Sequence, residues 1–165
     1  MGNLYLMCGC PGAGKSTFLK NKVKKDENLV IVSRDKIRFS IVKPNEEYFS
    51  HEDEVLKEFW KQINTALAEN KDVLVDQTSL TPKSRKYLLD HVTGYTYANI
   101  IWINEDLKTC LERNEKRKGT RAYVPRGTIR RMYFQFVEPS LSEGFDYIFY
   151  YNSKEDQIKY KGGVS

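Results

Sequence analysis

The residues best suited to chemistry stand close to the start of the chain, in Gly9-Cys10-Pro11-Gly12-Ala13-Gly14-Lys15-Ser16. They satisfy G-x-x-x-x-G-K-[ST] at every fixed position, with an apolar run before them and a helical pattern after them. Glycines at this spacing let backbone N–H groups turn inward around phosphate oxygens, at the positive end of the following helix. Lys15 can then reach the β and γ phosphates, and the Ser16 hydroxyl is placed for Mg²⁺. Gly9, Gly12, Ala13, Gly14 and Thr17 complete the expected ATP cradle. Where the terminal phosphate goes depends on other residues.

Three further groups bear on that. Asp35 and Arg38 directly follow the second apolar run, in "VSRDKIR". A carboxylate there can take the proton of an attacking hydroxyl, and an arginine three residues on can hold an anionic part of the acceptor. The bland alternative is that Asp35 caps a helix. Asp76 and Thr78 close the third apolar run, in "VLVDQTS". An acid at that place can orient Mg²⁺ through water, and both residues are expected to bind substrate. Arg113 and Arg117 are four apart at the start of a segment broken by Gly119, Pro125 and Gly127, as a mobile cover over a nucleotide would be. Arginines on such a cover neutralise charge on a transferred phosphoryl group.

The elements that must carry these residues alternate along the chain. Short apolar runs rich in Val, Ile and Tyr lie near 3–8, 29–33, 72–76, 97–103 and 145–151, and helical patterns fill the gaps. The clearest helix runs from Ser50 to about Asn70, with Val55, Phe59, Ile63 and Leu67 spaced by four and Ser50 as its cap. Thr81-Pro82 begins another that Gly94 stops, and two more are expected near 105–117 and 127–137. This is the pattern of a doubly wound α/β fold with a parallel five-stranded sheet, binding ligands at the strands' carboxyl ends. One domain is expected over 1–151, with a lid at about 113–127 and a loose polar tail over 152–165.

Charge sharpens the picture. Of the net +5, none comes from residues 1–79, which hold twelve basic and twelve acidic side chains. Lys108 to Arg131 holds nine Lys/Arg against Glu112 and Glu115, a local +7 suited to a polyanion, although a solvated helix face would look the same. No apolar run approaches the ~20 residues of a membrane span. Three cysteines, Cys8, Cys10 and Cys110, fit a reduced cytoplasmic protein.

On these motifs the chain resembles the phage-type polynucleotide 5′-hydroxyl kinase domain, a P-loop kinase of nucleic acid repair. "GCPGAGKST" is similar to that family's phosphate loop, "SRDKIRFSI" to its R-D-x-x-R segment, and "LERNEKRKGTRAYVP" to its lid, with Lys118 and Tyr123 as single insertions. The resemblance implies that Lys15 and Ser16 bind ATP and Mg²⁺, Asp35 is the general base and Arg38 holds acceptor phosphate. It further implies that Arg113 and Arg117 clamp the donor, with Arg117 catalytic beside Lys15. The partner would be a 5′-hydroxyl end of DNA or RNA; no membrane or protein partner is expected. No D-x-D-x-T phosphatase motif and no N-K-x-D guanine motif occurs. The rival readings are a small-molecule kinase of the same fold, acting on a nucleoside, nucleotide, sugar or antibiotic, and an ATP-binding module that transfers nothing.

Overall fold

The computed structural model describes residues 2–162. Strands β1 (Leu4–Cys8), β2 (Leu29–Ser33), β3 (Asp72–Asp76), β4 (Ala98–Ile103) and β5 (Tyr147–Asn152) pair in parallel, in the spatial order β2-β3-β1-β4-β5. Helices α1 (Lys15–Asn21), α2 (Arg34–Ile41), α3 (Glu52–Ala68), α4 (Pro82–His91), α5 (Leu107–Glu115) and α6 (Arg126–Gln135) form the crossovers and the lid region. Alternation along β1 divides the core. Leu4, Leu6 and Cys8 pack with Phe59, Ile63 and Leu88 on one face, while Met7 packs with Phe18, Leu111 and Ile129 on the other.

Among the described residues the sheet has six strands rather than the five expected. The chain after Asn152, expected as a loose tail, turns at residues 153–156 and returns as β6 (Gln157–Gly162), antiparallel to β5. The turn needs positive φ at Asp156, which Asp tolerates (φ 49°). Tyr160 packs its ring near Tyr147 and Phe149, so alternate residues gain contacts although every position of β6 is exposed. A strand buried on neither face lacks a hydrophobic run, which is why it does not read as one. Residues 163–165 of that tail lie outside the described residues.

Helix α3 presents Val55, Phe59, Ile63 and Leu67 inward, all fully buried, and each such side chain contributes about 1.5–3 kcal/mol. Its start differs from expectation. Ser50 donates its hydroxyl to the Glu47 carbonyl (2.7 Å), and the helix begins at Glu52 with no side-chain cap. Three acids in the first turn, Glu52, Asp53 and Glu54, complement the helix dipole instead. Thr81 caps α4 ahead of Pro82, as the sequence suggests, and Ser84 completes a reciprocal capping box, but α4 ends at His91 and Gly94 (φ 87°) lies in the turn beyond.

Arg85 of α4 is wholly buried, and nothing in its local sequence marks it out. Its guanidinium donates to both Glu143 carboxylate oxygens (2.7 and 3.2 Å) and to the carbonyls of Ser79 (2.9 Å) and Val137 (2.9 Å). It therefore ties the loop after β3 to the segment that follows α6. Arg85→Met fills the same space but leaves Glu143 without its counter-ion. Such a break costs roughly 3–5 kcal/mol, so the thermal midpoint should fall by about 6–20 °C. An unchanged midpoint in a melting experiment would show that Glu143 finds solvent without loss.

Candidate active site

Strand β1 lies between β3 and β4, so the loop after Cys8 opens at the centre of the sheet's carboxyl edge. Gly9 donates to the Thr78 carbonyl (3.0 Å), which couples this loop to the exit of β3. Gly12 takes φ 83°, and a Cβ there would lie 2.4 Å from the Cys110 carbonyl oxygen. Gly14 takes φ 101°, and a Cβ there would meet Arg113 Nη1 at 3.0 Å. Gly12 is demanded by conformation and by space, Gly14 by its conformation.

Lys15 folds over this loop and donates to the carbonyls of Gly9 (2.8 Å) and Cys10 (3.1 Å). Burial pulls its pKa down, the Asp76 carboxylate pulls it back, and the Arg117 charge lowers it further. Gly14 offers α1 no side-chain cap, and the exposed Ser16 hydroxyl has no partner among the described residues. Uncapped first-turn amides, a lysine above them and a free hydroxyl fit a polyphosphate with its metal.

Ser33 is paired with Asp76 across β2 and β3, so Asp35 and Asp76 share one end of the sheet. Asp76 has its pKa raised by burial; Lys15 opposes this and the Asp35 charge adds to it. The cap of α2 is Ser33, whose hydroxyl accepts from Lys36 N (3.3 Å), so Asp35 does not fill that role. Its carboxylate is 61% exposed and accepts from Arg38 Nη1 (2.6 Å) and from the Tyr48 hydroxyl. Burial and the bond to Asp35 push the Tyr48 pKa up, which keeps that hydroxyl a donor.

Arg38 does sit on the same helical face as Asp35, but its side chain is only 4% exposed. Nε and Nη2 donate to the Glu52 carboxylate, and Nη1 donates to Asp35 and to Tyr48. All three of its side-chain nitrogens donate within the protein. The guanidinium also stacks over the Tyr48 ring at 4.2 Å. Burial raises the Glu52 pKa, yet the bonds from Arg38 and Arg34 outweigh it and hold the carboxyl below its usual range. Glu52 and Tyr48 carry no motif, and only folding identifies them as the supports of Asp35.

The two lid arginines part company. Helix α5 stops at Glu115, short of the expected 117, and Arg117 lies in the turn beyond it with its N–H on the Asn114 carbonyl (2.9 Å). Arg113 remains on the helix and donates to the Ala13 carbonyl (2.9 Å) and to Ser153 (3.0 Å), with Glu105 3.6 Å away. Buried Asn114 clamps the lid base through both its amide oxygen and nitrogen to the Val124 backbone (3.0 and 2.6 Å). At its far side the lid reaches α2. Arg121 donates to the Val42 carbonyl (3.2 Å) and lies 4.2 Å over the Phe39 ring. The three cysteines are free and buried, and burial pushes the Cys8 thiol up to about 12 and Cys110 up to about 11. Buried thiols of raised pKa carry little thiolate, and these three pack in the core.

Among the described residues no helix is long and apolar enough to cross a membrane. The fold is similar to a chain of the Pnkp1/Rnl/Hen1 RNA repair complex, at TM-score 0.71 and 23% identity over 81% of this chain and 43% of that one. This chain thus spans less than half the length of the RNA repair chain. It is also similar to a sugar kinase from Janibacter sp. HTCC2649 (TM-score 0.64, 13% identity, 92% and 85% covered). A third likeness is to Chaetomium thermophilum Kti12 in complex with ADP-AlF3 (TM-score 0.60, 16% identity, 93% and 91% covered). A family described as an AAA domain matches residues 4–139. With its parallel sheet, its glycine-rich loop and that match over most of its length, the chain has a P-loop kinase-like fold and belongs to the AAA domain family.

Proposed function

We propose that the protein transfers the γ-phosphate of ATP to the 5′-hydroxyl end of DNA or RNA. The observation that carries this is the exposed Asp35 carboxylate, held by Arg38 and Tyr48 at the edge where Lys15 and Asp76 converge. A protein that only binds ATP has no use for such a group. The likeness to a chain of an RNA repair complex and the basic lid favour a nucleic acid end over a neutral acceptor.

In this mechanism Asp35 accepts the proton of the 5′-hydroxyl as its oxygen forms a bond to the γ-phosphorus and the bond to ADP breaks. Lys15 and Arg117 stabilise the charge on the phosphoryl group. Arg113 holds the loop at Ala13 and clamps the donor when it shifts from that carbonyl. Arg38 steers Asp35, and an acceptor phosphate that takes the place of the Tyr48 hydroxyl would reach the same guanidinium. A Mg²⁺ ion would be held by Ser16 and, through water, by Asp76, neutralising phosphate charge. Thr78, at the exit of β3, faces the acceptor.

Labelled phosphate transfer from ATP to a panel of acceptors tests this. A nucleoside bearing a 3′-phosphate should exceed the bare nucleoside roughly 10- to 150-fold in kcat/KM, from a charge-assisted contact of about 1.5–3 kcal/mol. A sugar, nucleotide or free nucleoside that outruns every 5′-hydroxyl oligonucleotide would move the protein to the small-molecule reading, which its likeness to a sugar kinase keeps in view.

A further inference from the structure

An open groove of about 620 Å³ lies beside the site, and of its lining residues only Thr78 has a role in the mechanism above. It is lined by Arg34 of α2, Trp60 of α3, Thr78 of the β3 exit loop, and Lys83 and Tyr87 of α4. Arg34 adjoins Asp35 in the chain, and the lining residue Gln77 adjoins Asp76, so one end of the groove lies on the two segments that carry the carboxylates.

Its chemistry is consistent along its length. Tyr87 is 46% exposed and rests on the Trp60 and His91 rings, which stack 4.8 Å apart at 14°. Lys83 is exposed and has no ion-pair partner among the described residues, whereas Lys86 beside it is neutralised by Asp90 at 3.0 Å. Arg34 has a buried Nε with no hydrogen-bond partner, although its Nη2 is engaged by Glu52. An exposed aromatic ring one helical turn from an unpaired cation is what a single strand needs, a face for a base and a charge for a phosphate. A small molecule would be poorly enclosed here, since such sites bury most of the ligand's surface.

We propose that the groove carries the acceptor strand beyond its terminal nucleotide. Single-stranded nucleic acid leaves Asp35, crosses the β3 exit loop past Thr78 and Arg34, stacks a base on Tyr87 and places a phosphate at Lys83. This deepens the reading of the same site and rests on a nucleic acid acceptor.

The test compares a ten-nucleotide 5′-hydroxyl single strand with a 3′-phosphorylated mononucleoside as acceptors. Tyr87→Ala should lower the ratio of their kcat/KM values by roughly 5- to 150-fold, the loss expected for one base–aromatic stack. Lys83→Glu should lower the same ratio and reduce the salt dependence of the long acceptor by about one phosphate contact. Unchanged ratios in both folded variants would overturn the groove while leaving the kinase reading intact. A binding arm separates the two claims. In a Trp102→Phe background, quenching of Trp60 fluorescence by the ten-nucleotide strand, weakened by Lys83→Glu, supports the groove whether or not phosphate is transferred. No quenching overturns it.

Discussion

Lys15→Ala is expected to abolish phosphoryl transfer to every acceptor, by roughly 10³-fold or more, because donor positioning precedes any choice of acceptor. The ammonium is the cation closest to the loop backbone, bonded to Gly9 and Cys10 across the mouth where a polyphosphate would lie. Its removal deletes charge at the reacting phosphate that the lid arginines complement and do not replace, since neither makes the bonds to Gly9 and Cys10 that hold the ammonium at the loop mouth. The fold should survive. Burial already disfavours the charged lysine, so alanine relieves a desolvation cost as it gives up two hydrogen bonds to loop carbonyls. Single-turnover transfer and a melting curve on the same preparation check both halves. Residual turnover within tenfold of the unsubstituted protein would show that the loop is not the donor site.

Asp35→Asn should cut transfer by roughly 10²–10⁴-fold while leaving ATP affinity nearly intact, the range typical of losing a general base. The amide keeps the size of the carboxylate and can still accept from Arg38 and Tyr48 through its oxygen, so the local packing persists. Only the proton affinity is gone. Nucleotide titration calorimetry and rapid-quench transfer separate the two effects. Turnover within a factor of a few would mean that Asp35 serves as a counter-ion to buried Arg38 and nothing more.

Much of this was legible in the chain itself, because the signals are local. The glycine loop announces itself by residues that must adopt positive φ or admit a backbone at close range, as Gly12 does against Cys110. The five parallel strands announce themselves as short apolar runs, mostly buried in β1, β3 and β4 and half-buried in β2 and β5, and α3 by four apolar residues at one spacing. Asp35 and Arg38, three apart, share a helical face and do pair. The tertiary structure alone decided what each long polar side chain touches. Arg38 turns inward to Glu52, Arg113 reaches back a hundred residues to Ala13, Arg85 finds Glu143, and Arg121 crosses from the lid to Val42. Spacing fixes the direction in which a side chain leaves its own element, but an arginine can span several angstroms to whichever acceptor the folded chain brings near. The same holds for β6, whose exposed residues carry no burial pattern and which exists because β5 offers it an open edge.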